Sequence, residues 1–160
     1  MIRRLALALV GGVMAPAAMA GEFCVMDGGV RFACTFDGGA KAVEVCDMIE
    51  ADEARASYGF FRPGAAPEMS IEVDMASLYV EPWSGMGGTI WETVKFFAED
   101  GVHAYQVWYS GDRAAGDEVS GGLNVYNGND VIASMDCDPG SLSHDIPALI
   151  EAVETARISP

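Results

Sequence analysis

The sequence predicts an all-β domain, an antiparallel meander that forms a small barrel or strongly curved sheet and ends in one C-terminal helix. Turn signals recur at short intervals, and no helical pattern separates the runs between them. Such spacing is typical of successive hairpins, which favour an up-and-down antiparallel arrangement. The turn signals are Gly28-Gly29, Gly38-Gly39, Pro63-Gly64, Gly87-Gly88, Asp100-Gly101, Gly121-Gly122 and Asn127-Gly128.

About nine runs between these turns have the length and composition of strands. The clearest alternation is at 71–75, where Ile71, Val73 and Met75 are apolar. The charged Glu72 and Asp74 lie between them, as expected of a sheet with one wet face. The predicted strands cover residues 23–26, 30–36, 41–47, 57–61, 70–75, 89–98, 102–110, 123–126 and 131–136.

The turn at Asp100-Gly101 predicts the register of one hairpin. A two-residue turn there pairs Glu99 with Val102 and, further along, every residue pair whose numbers have the same sum. Val94, Phe96, Tyr105 and Val107 then share the core face, and Trp91, Thr93, Lys95, Gln106 and Trp108 share the other face.

Tryptophans on a nominally wet face are typical of a surface that anchors a partner. The loop at 81–88 adds a third tryptophan and glycines that let the backbone adapt. The candidate partner-binding residues are therefore Trp83, Ser84, Met86, Trp91 and Trp108.

The helix is predicted at about residues 143–157. Ser143 is a capping residue, and Pro147 is tolerated in the first turn. An apolar stripe follows at Ile146, Leu149, Ile150 and Val153. We expect this stripe to cover Trp91 or Trp108, because such packing would bury two apolar surfaces together; the alternative leaves the tryptophans free to anchor a partner.

Residues 1–20 have the layout of a secretory signal peptide. Arg3 and Arg4 precede an apolar stretch at 5–13, and Ala-Met-Ala ends at Ala20. Cleavage there leaves residues 21–160 as a single disulfide-bridged domain, located in the periplasm or secreted. No later stretch reaches the roughly 18 apolar residues that a spanning helix needs, so no membrane insertion is expected.

The cysteines Cys24, Cys34, Cys46 and Cys137 are an even number in an exported chain, which predicts two disulfides. Three connectivities are open. A turn at 27–30 would place Cys24 nearly opposite Cys34, so we expect that pair, and with it Cys46 joined to Cys137.

The chain is strongly acidic, with a formal net charge of −15. Removal of Arg3 and Arg4 leaves seven Lys and Arg against 24 Asp and Glu, a net charge of −17. Such a charge repels nucleic acid and anionic membranes and attracts basic proteins or divalent cations.

The sequence predicts no enzyme, no cofactor and no built metal site. His103 and His144 have no nucleophile that the sequence pairs with them, and the cysteines are assigned to bridges. Acidic clusters at 112–118, 127–130 and 136–145 lack the calcium-loop pattern, although loop oxygens that gather a calcium ion remain an alternative.

The plan of the chain, with Cys137 near the end of the last strand, resembles the periplasmic membrane-bound c-type lysozyme inhibitors. The run Ala54-Arg55-Ala56-Ser57-Tyr58-Gly59 is similar in its small and aromatic character to the inhibitory loop of that family. The serine-containing motif has no clear match, so no inhibitory residue is carried over. The resemblance implies an exported inhibitor of a basic protein such as lysozyme. The alternatives are a small-ligand-binding barrel and a structural envelope protein.

Overall fold

The structure is a computed structural model that describes residues 22–24, 29–50, 53–114 and 119–158. The predicted signal peptide, residues 1–20, lies outside them. Among the described residues ten strands and one α-helix form. They are β1 (Gly29–Phe36), β2 (Lys41–Glu50), β3 (Glu53–Phe61), β4 (Met69–Asp74), β5 (Tyr79–Glu81), β6 (Thr89–Phe97), β7 (His103–Asp112), β8 (Val119–Asn127), β9 (Asp130–Asp136), β10 (Ser143–His144) and α1 (Ile146–Ile158).

The strands form two antiparallel sheets, which confirms the mostly β prediction. The first sheet has the order β10-β1-β2-β3-β4, and the second has the order β5-β6-β7-β8-β9. A closed barrel is not found among the described strands. The meander is interrupted after Asp74, where Met75–Ser77 form a one-turn 3₁₀ helix instead of continuing β4. Met75 and Leu78 are buried there, so this turn carries the chain from one sheet to the other.

Eight predicted strands coincide with β1–β4 and β6–β9, with ends that differ by up to four residues. The predicted strand at 23–26 is wrong for Phe23 and Cys24, which are not in a strand, and its other residues lie outside the described part. Sequence reasoning missed β5 and β10 because they have three and two residues, too few for a periodic pattern.

The core lies between the inner faces of the two sheets. Tyr58 of the first sheet packs against Phe96 and Tyr105 of the second, with ring centroids 5.6 and 5.3 Å apart. Tyr58 and Phe96 are fully buried, so large aromatic side chains fill the middle of this layer. Fully buried side chains around them are Phe32, Val43, Val45, Val94, Val107 and Leu123.

The helix does not cover the tryptophans. Its stripe of Ile146, Leu149, Ile150 and Val153 is buried in the core, which is on the opposite side of the second sheet from Trp108. The helix closes one end of the core beside the 3₁₀ turn, β1 and β6. Arg157 holds it there by donating to the carbonyl oxygens of Ala76 (3.2 Å) and Leu78 (2.8 Å). The predicted docking is therefore wrong, and Ser143, predicted to cap the helix, lies in β10.

Both predicted disulfide pairs are also wrong. Cys24 is joined to Cys46, and Cys34 is joined to Cys137. Cys34 lies opposite Val43 in the β1–β2 ladder, so Cys24 is not its neighbour. Two disulfides point to folding in an oxidising environment, such as the periplasm or the extracellular space. Within the described ranges, no helix has the length and apolar character needed to cross a membrane.

The segment at 22–24 lies across the outer face of the first sheet. The backbone N–H groups of Glu22, Phe23 and Cys24 donate to the carboxylate of Glu44 at 3.0, 2.9 and 2.9 Å. The Phe23 ring lies over Gly59, where a Cβ atom would come within 2.5 Å of it. Glu44 is only 2% exposed, so this segment encloses a carboxylate inside the protein.

His144 makes stability depend on pH. Its half-buried ring stacks on Tyr109 with centroids 3.9 Å apart, and its Nδ1 is buried without a partner. Burial lowers the pKa of His144, although the carboxylates of Asp145 and Glu92 act in the opposite direction. The folded state therefore binds fewer protons than the unfolded state, so stability falls as pH drops below the ordinary histidine pKa of about 6.5.

We expect His144→Phe to reduce this loss of stability on acidification. Urea unfolding of both proteins at about pH 7.5 and about pH 5.5 measures the difference, because only histidine titrates at its ordinary pKa in this window. Equal pH dependence in the two proteins would contradict the assignment.

Candidate partner-binding face

The second sheet presents the predicted aromatic residues on its outer face. The register pairs Thr93 with Trp108, Val94 with Val107 and Phe96 with Tyr105, as predicted. The predicted pair of Glu99 with Val102 lies outside both strands, and Gly101 N–H donates to the Ala98 carbonyl (3.0 Å), so the loop is longer than the predicted two residues. We call the side chains on this outer face the platform. Its members are Tyr79, Trp91, Thr93, Lys95, Phe97, Gln106, Trp108, Asn124 and Tyr126.

Trp108 lies flat against the sheet because its neighbour on β8 has no side chain. The register places Gly122 opposite Trp108. A Cβ atom at Gly122 would lie 2.9 Å from Cζ2 and Nε1 of the indole and would overlap the carbonyl oxygen of Met135. The indole Nε1 is buried without a partner, so Trp108 offers ring surface, and no hydrogen bond, to a ligand.

A network of amides and hydroxyls runs across four strands of the platform. Gln106 donates to Thr93 Oγ1 (3.1 Å) and accepts from the Tyr126 hydroxyl (2.8 Å). The Gln106 Oε1 also accepts from Asn124 Nδ2 (3.3 Å), and the Ser134 hydroxyl donates to Asn124 Oδ1 (2.7 Å). Because Gln106 is 7% exposed and fully engaged, it holds the neighbouring side chains in place.

Lys95 lies between two aromatic rings at the other end of the platform. Its Nζ is 4.1 Å from the ring centre of Tyr126 and 5.5 Å from that of Tyr79. Phe97 meets Tyr79 edge-on, and both rings are exposed. Cation–π attraction therefore holds the Lys95 charge on the platform.

The loop at 82–88 is held by its own tryptophan. Trp83 Nε1 donates to the carbonyl oxygen of Met86 (3.1 Å), and the Arg113 guanidinium lies over the indole, 5.6 Å from its centre. Arg113 N–H also donates to the Gly88 carbonyl (2.8 Å). Trp83 is half-buried, whereas Ser84 and Met86 are exposed, so Met86 is the apolar side chain that the loop presents.

The predicted residues lie toward one end of the second sheet. Trp91 pairs with Ser110, which makes Trp108 its diagonal neighbour on the platform. The loop that carries Trp83 enters β6 only two residues before Trp91. Sequence reasoning missed Tyr79, Asn124 and Tyr126; the alternation of Asn124 and Tyr126 about Val125 is the signal that marks the last two.

Carboxylates border the tryptophan end of the platform. Glu81, Asp112 and Asp136 are exposed and lie on its outer face by register, on β5, β7 and β9. We call these three residues the acidic rim. No salt bridge neutralises any of them within the part of the chain that the structure describes.

Each described Lys and Arg has a partner, and Lys95 is the one that lies on the platform. Five of the seven Lys and Arg form salt bridges, and Lys95 and Arg113 lie against aromatic rings. The engaged residues in salt bridges are Arg31, Lys41, Arg55, Arg62 and Arg157. Carboxylates outnumber these cations by 24 to seven after removal of residues 1–20, so the net field outside the protein is negative.

Two of the titratable groups considered for catalysis or metal binding, His103 and Asp138, have structural partners. A ring nitrogen of His103 lies 2.6 Å from the Asp100 carboxylate, which lowers the pKa of Asp100 to about 2. Asp138 accepts from the N–H groups of Gly38 and Gly39, and these bonds lower its pKa. No group of three or more His, Cys, Asp or Glu is placed to hold a metal among the described residues; positions 117 and 118 of one acidic cluster lie outside them.

The segment similar to an inhibitory loop lies within β3. Ala56, Ser57, Tyr58 and Gly59 are buried there, so this segment does not form an exposed surface. No family model, no curated protein and no solved structure matches the chain. The platform and its acidic rim are therefore the candidate functional surface.

Proposed function

We propose that this chain is an exported, non-enzymatic domain that binds a cationic protein, such as a lysozyme, through the platform and its acidic rim. The observation that carries the proposal is an exposed aromatic surface whose tryptophan end is bordered by Glu81, Asp112 and Asp136, none of which has a salt bridge among the described residues. Aromatic side chains provide contact area at the centre of interfaces, and a charged rim provides orientation and speed of association.

The net charge supports the same kind of partner. Long-range attraction between a domain with a charge of −17 after removal of residues 1–20 and a basic protein accelerates their encounter. The acidic rim adds a local field at the place where the aromatic rings are exposed.

A small-ligand carrier is the second candidate, and one observation favours it. An open cleft of about 590 Å³ lies between the free edge of β4 and the end of β6. Its lining places the apolar Ile71, Val73 and Phe97 beside the carboxylates of Glu72 and Glu99, which suit an apolar ligand that carries a positive group. Side chains fill the core between the sheets, so we assign such a ligand to this cleft at the side of the fold.

Kinetic binding measurements against a panel of lysozymes and other basic proteins test the main proposal. We expect the association rate to fall steeply between about 20 mM and about 300 mM ionic strength. Trp91→Ala should raise the Kd by at least about tenfold through faster dissociation, because it removes a contact and leaves the field unchanged. Trp91 is 39% exposed, so its removal does not open the core.

Two comparisons make this test specific. Ile158→Ala removes an exposed apolar side chain of α1, far from the platform, and should leave binding unchanged. Trp83→Ala should also speed dissociation, since Trp83 holds the loop that presents Met86. If no basic protein binds at low ionic strength, the proposal fails and the carrier function remains.

A further inference from the structure

β9 is the free edge of the second sheet, and it is exposed over nearly its whole length. Of the residues in Asp130–Asp136, only Met135 is half-buried and packs against the core. Val131 and Ile132 are 53% and 57% exposed. No described strand pairs with β9 on the side away from β8. An exposed apolar edge of this kind is a template for another strand.

The backbone groups that a new strand would use can be assigned from the register. Cys137 N–H donates to the carbonyl of Gly121 (2.8 Å), in line with the pairing of Asp136 with Gly122. Cys137 therefore directs its backbone groups toward β8. In an antiparallel strand this direction alternates from one residue to the next, so Asp136 and Ser134 direct their N–H and C=O groups away from β8. These groups form the open side of the edge.

Charge determines which strand fits. Asp130 and Asp136 stand at the two ends of the exposed apolar run, and neither has a salt bridge within the described residues. A second copy paired antiparallel about Ala133 would place Asp130 opposite Asp136, and a parallel copy would place each aspartate opposite itself. Like charges directly opposite destabilise strand pairing, so the edge disfavours its own copy.

We propose that β9 accepts an extended segment of a cationic protein as an additional antiparallel strand, with Lys or Arg near both ends of an apolar run. This inference rests on the proposed function and names the form in which the partner is recognised. Asp136, Gly122 and Trp108 lie in one row across the sheet, so the added strand would extend the platform and its acidic rim. Main-chain hydrogen bonds would supply affinity, and the two aspartates would supply the choice of partner.

A synthetic peptide tests the proposal on the full mature chain. The probe is Lys-Val-Thr-Val-Thr-Val-Lys with blocked ends, compared with the same peptide carrying Glu at both ends. We expect the Lys peptide to slow amide hydrogen exchange at Ser134 and Asp136 by at least about tenfold, and the Glu peptide to have no effect. Unchanged exchange at both amides with saturating Lys peptide would overturn the proposal.

Two substitutions separate strand addition from simple charge attraction. Ser134→Pro removes an N–H that points away from β8 and should weaken binding of the Lys peptide by about tenfold. Ser134→Ala is the control, because both variants lose the hydrogen bond from the Ser134 hydroxyl to Asn124 but Ser134→Ala keeps the backbone N–H. It should bind the Lys peptide like the parent. Should Ser134→Pro fail to fold, methylation of alternate peptide amides tests the same bonds, and undiminished binding of both methylated forms would overturn the proposal.

The outcomes also separate this inference from the proposed function. Binding of a basic protein that Trp91→Ala weakens but Ser134→Pro leaves unchanged would overturn strand addition and keep the platform. Protection of β9 by the Lys peptide, with no effect of Trp91→Ala on any basic protein, would keep strand addition and overturn the role of the platform. The effects of Trp91→Ala and Ser134→Pro therefore show whether the platform or the added strand has been wrongly assigned.

Discussion

Replacing both Cys34 and Cys137 with serine is expected to lower the free energy of unfolding by about 4–5 kcal/mol. The bridge joins residues 103 positions apart, so its loss restores a large amount of chain entropy to the unfolded state. It also ties β1 of the first sheet to the chain just after β9 of the second. Since domains of this size are stabilised by about 5–15 kcal/mol in total, the variant should be close to unfolding at room temperature.

Urea unfolding measures this effect, and the second bridge provides the control. Cys24 and Cys46 are only 22 positions apart, so their double serine variant should lose about 3 kcal/mol in the same chain-entropy account. Peptide mapping without reductant should first recover Cys34 linked to Cys137. A larger loss for the short bridge than for the long one, or recovery of Cys24 linked to Cys34, would contradict the account.

Glu44→Ala is expected to cost about 2–4 kcal/mol, because three backbone N–H groups lose a charged acceptor. The carboxylate is enclosed by the segment at 22–24 and by β2, so no water replaces it while that segment stays in place. In the variant, the segment at 22–24 can detach so that these N–H groups bind water. The loss of stability is therefore smaller than the cost of leaving three buried N–H groups without a partner.

Urea unfolding with hydrogen exchange at Phe23 and Cys24 measures this prediction. Glu72→Ala is the matched control, because Glu72 is an exposed carboxylate on the outer face of the same sheet and its one salt bridge among the described residues is with Arg55. Its loss should cost less than about 1 kcal/mol. Glu44→Gln should recover part of the stability, since its amide oxygen still accepts. Unchanged exchange at both amides in Glu44→Ala would contradict the assigned role.

The strands and the register of the β6–β7 hairpin were predictable because both depend on neighbours in the chain. Alternation at 71–75 identifies β4, and the turn signal at Asp100-Gly101 predicts that Thr93 lies opposite Trp108, although the observed loop is longer than two residues. That local register was enough to place Trp91 and Trp108 on the outer face, and the structure agrees.

The rest of the platform lies on β8 and β9, and no turn motif in the sequence predicts how these strands align with the strands that carry the tryptophans. Asn124, Tyr126 and Asp136 reach the platform only because β8 and β9 follow β7 in one sheet. The flat position of Trp108 needs Gly122 directly opposite, and this depends on the register between β7 and β8. The sequence alone does not show which of these residues lie next to each other across the sheet.

The errors in the disulfides and the helix have one physical cause. Both predictions used the nearest available surface in the chain: a turn at 27–30 for Cys24, and the exposed tryptophans for the helix. Long-range contacts determined the outcome instead. The buried Glu44 carboxylate holds Cys24 over β2, and the 3₁₀ turn at Met75 leaves a core end for Ile146 and Val153 to fill. Periodicity and turn chemistry therefore determined the strands, whereas burial of a distant carboxylate and of an apolar stripe determined how the strands, the helix and the bridges assemble.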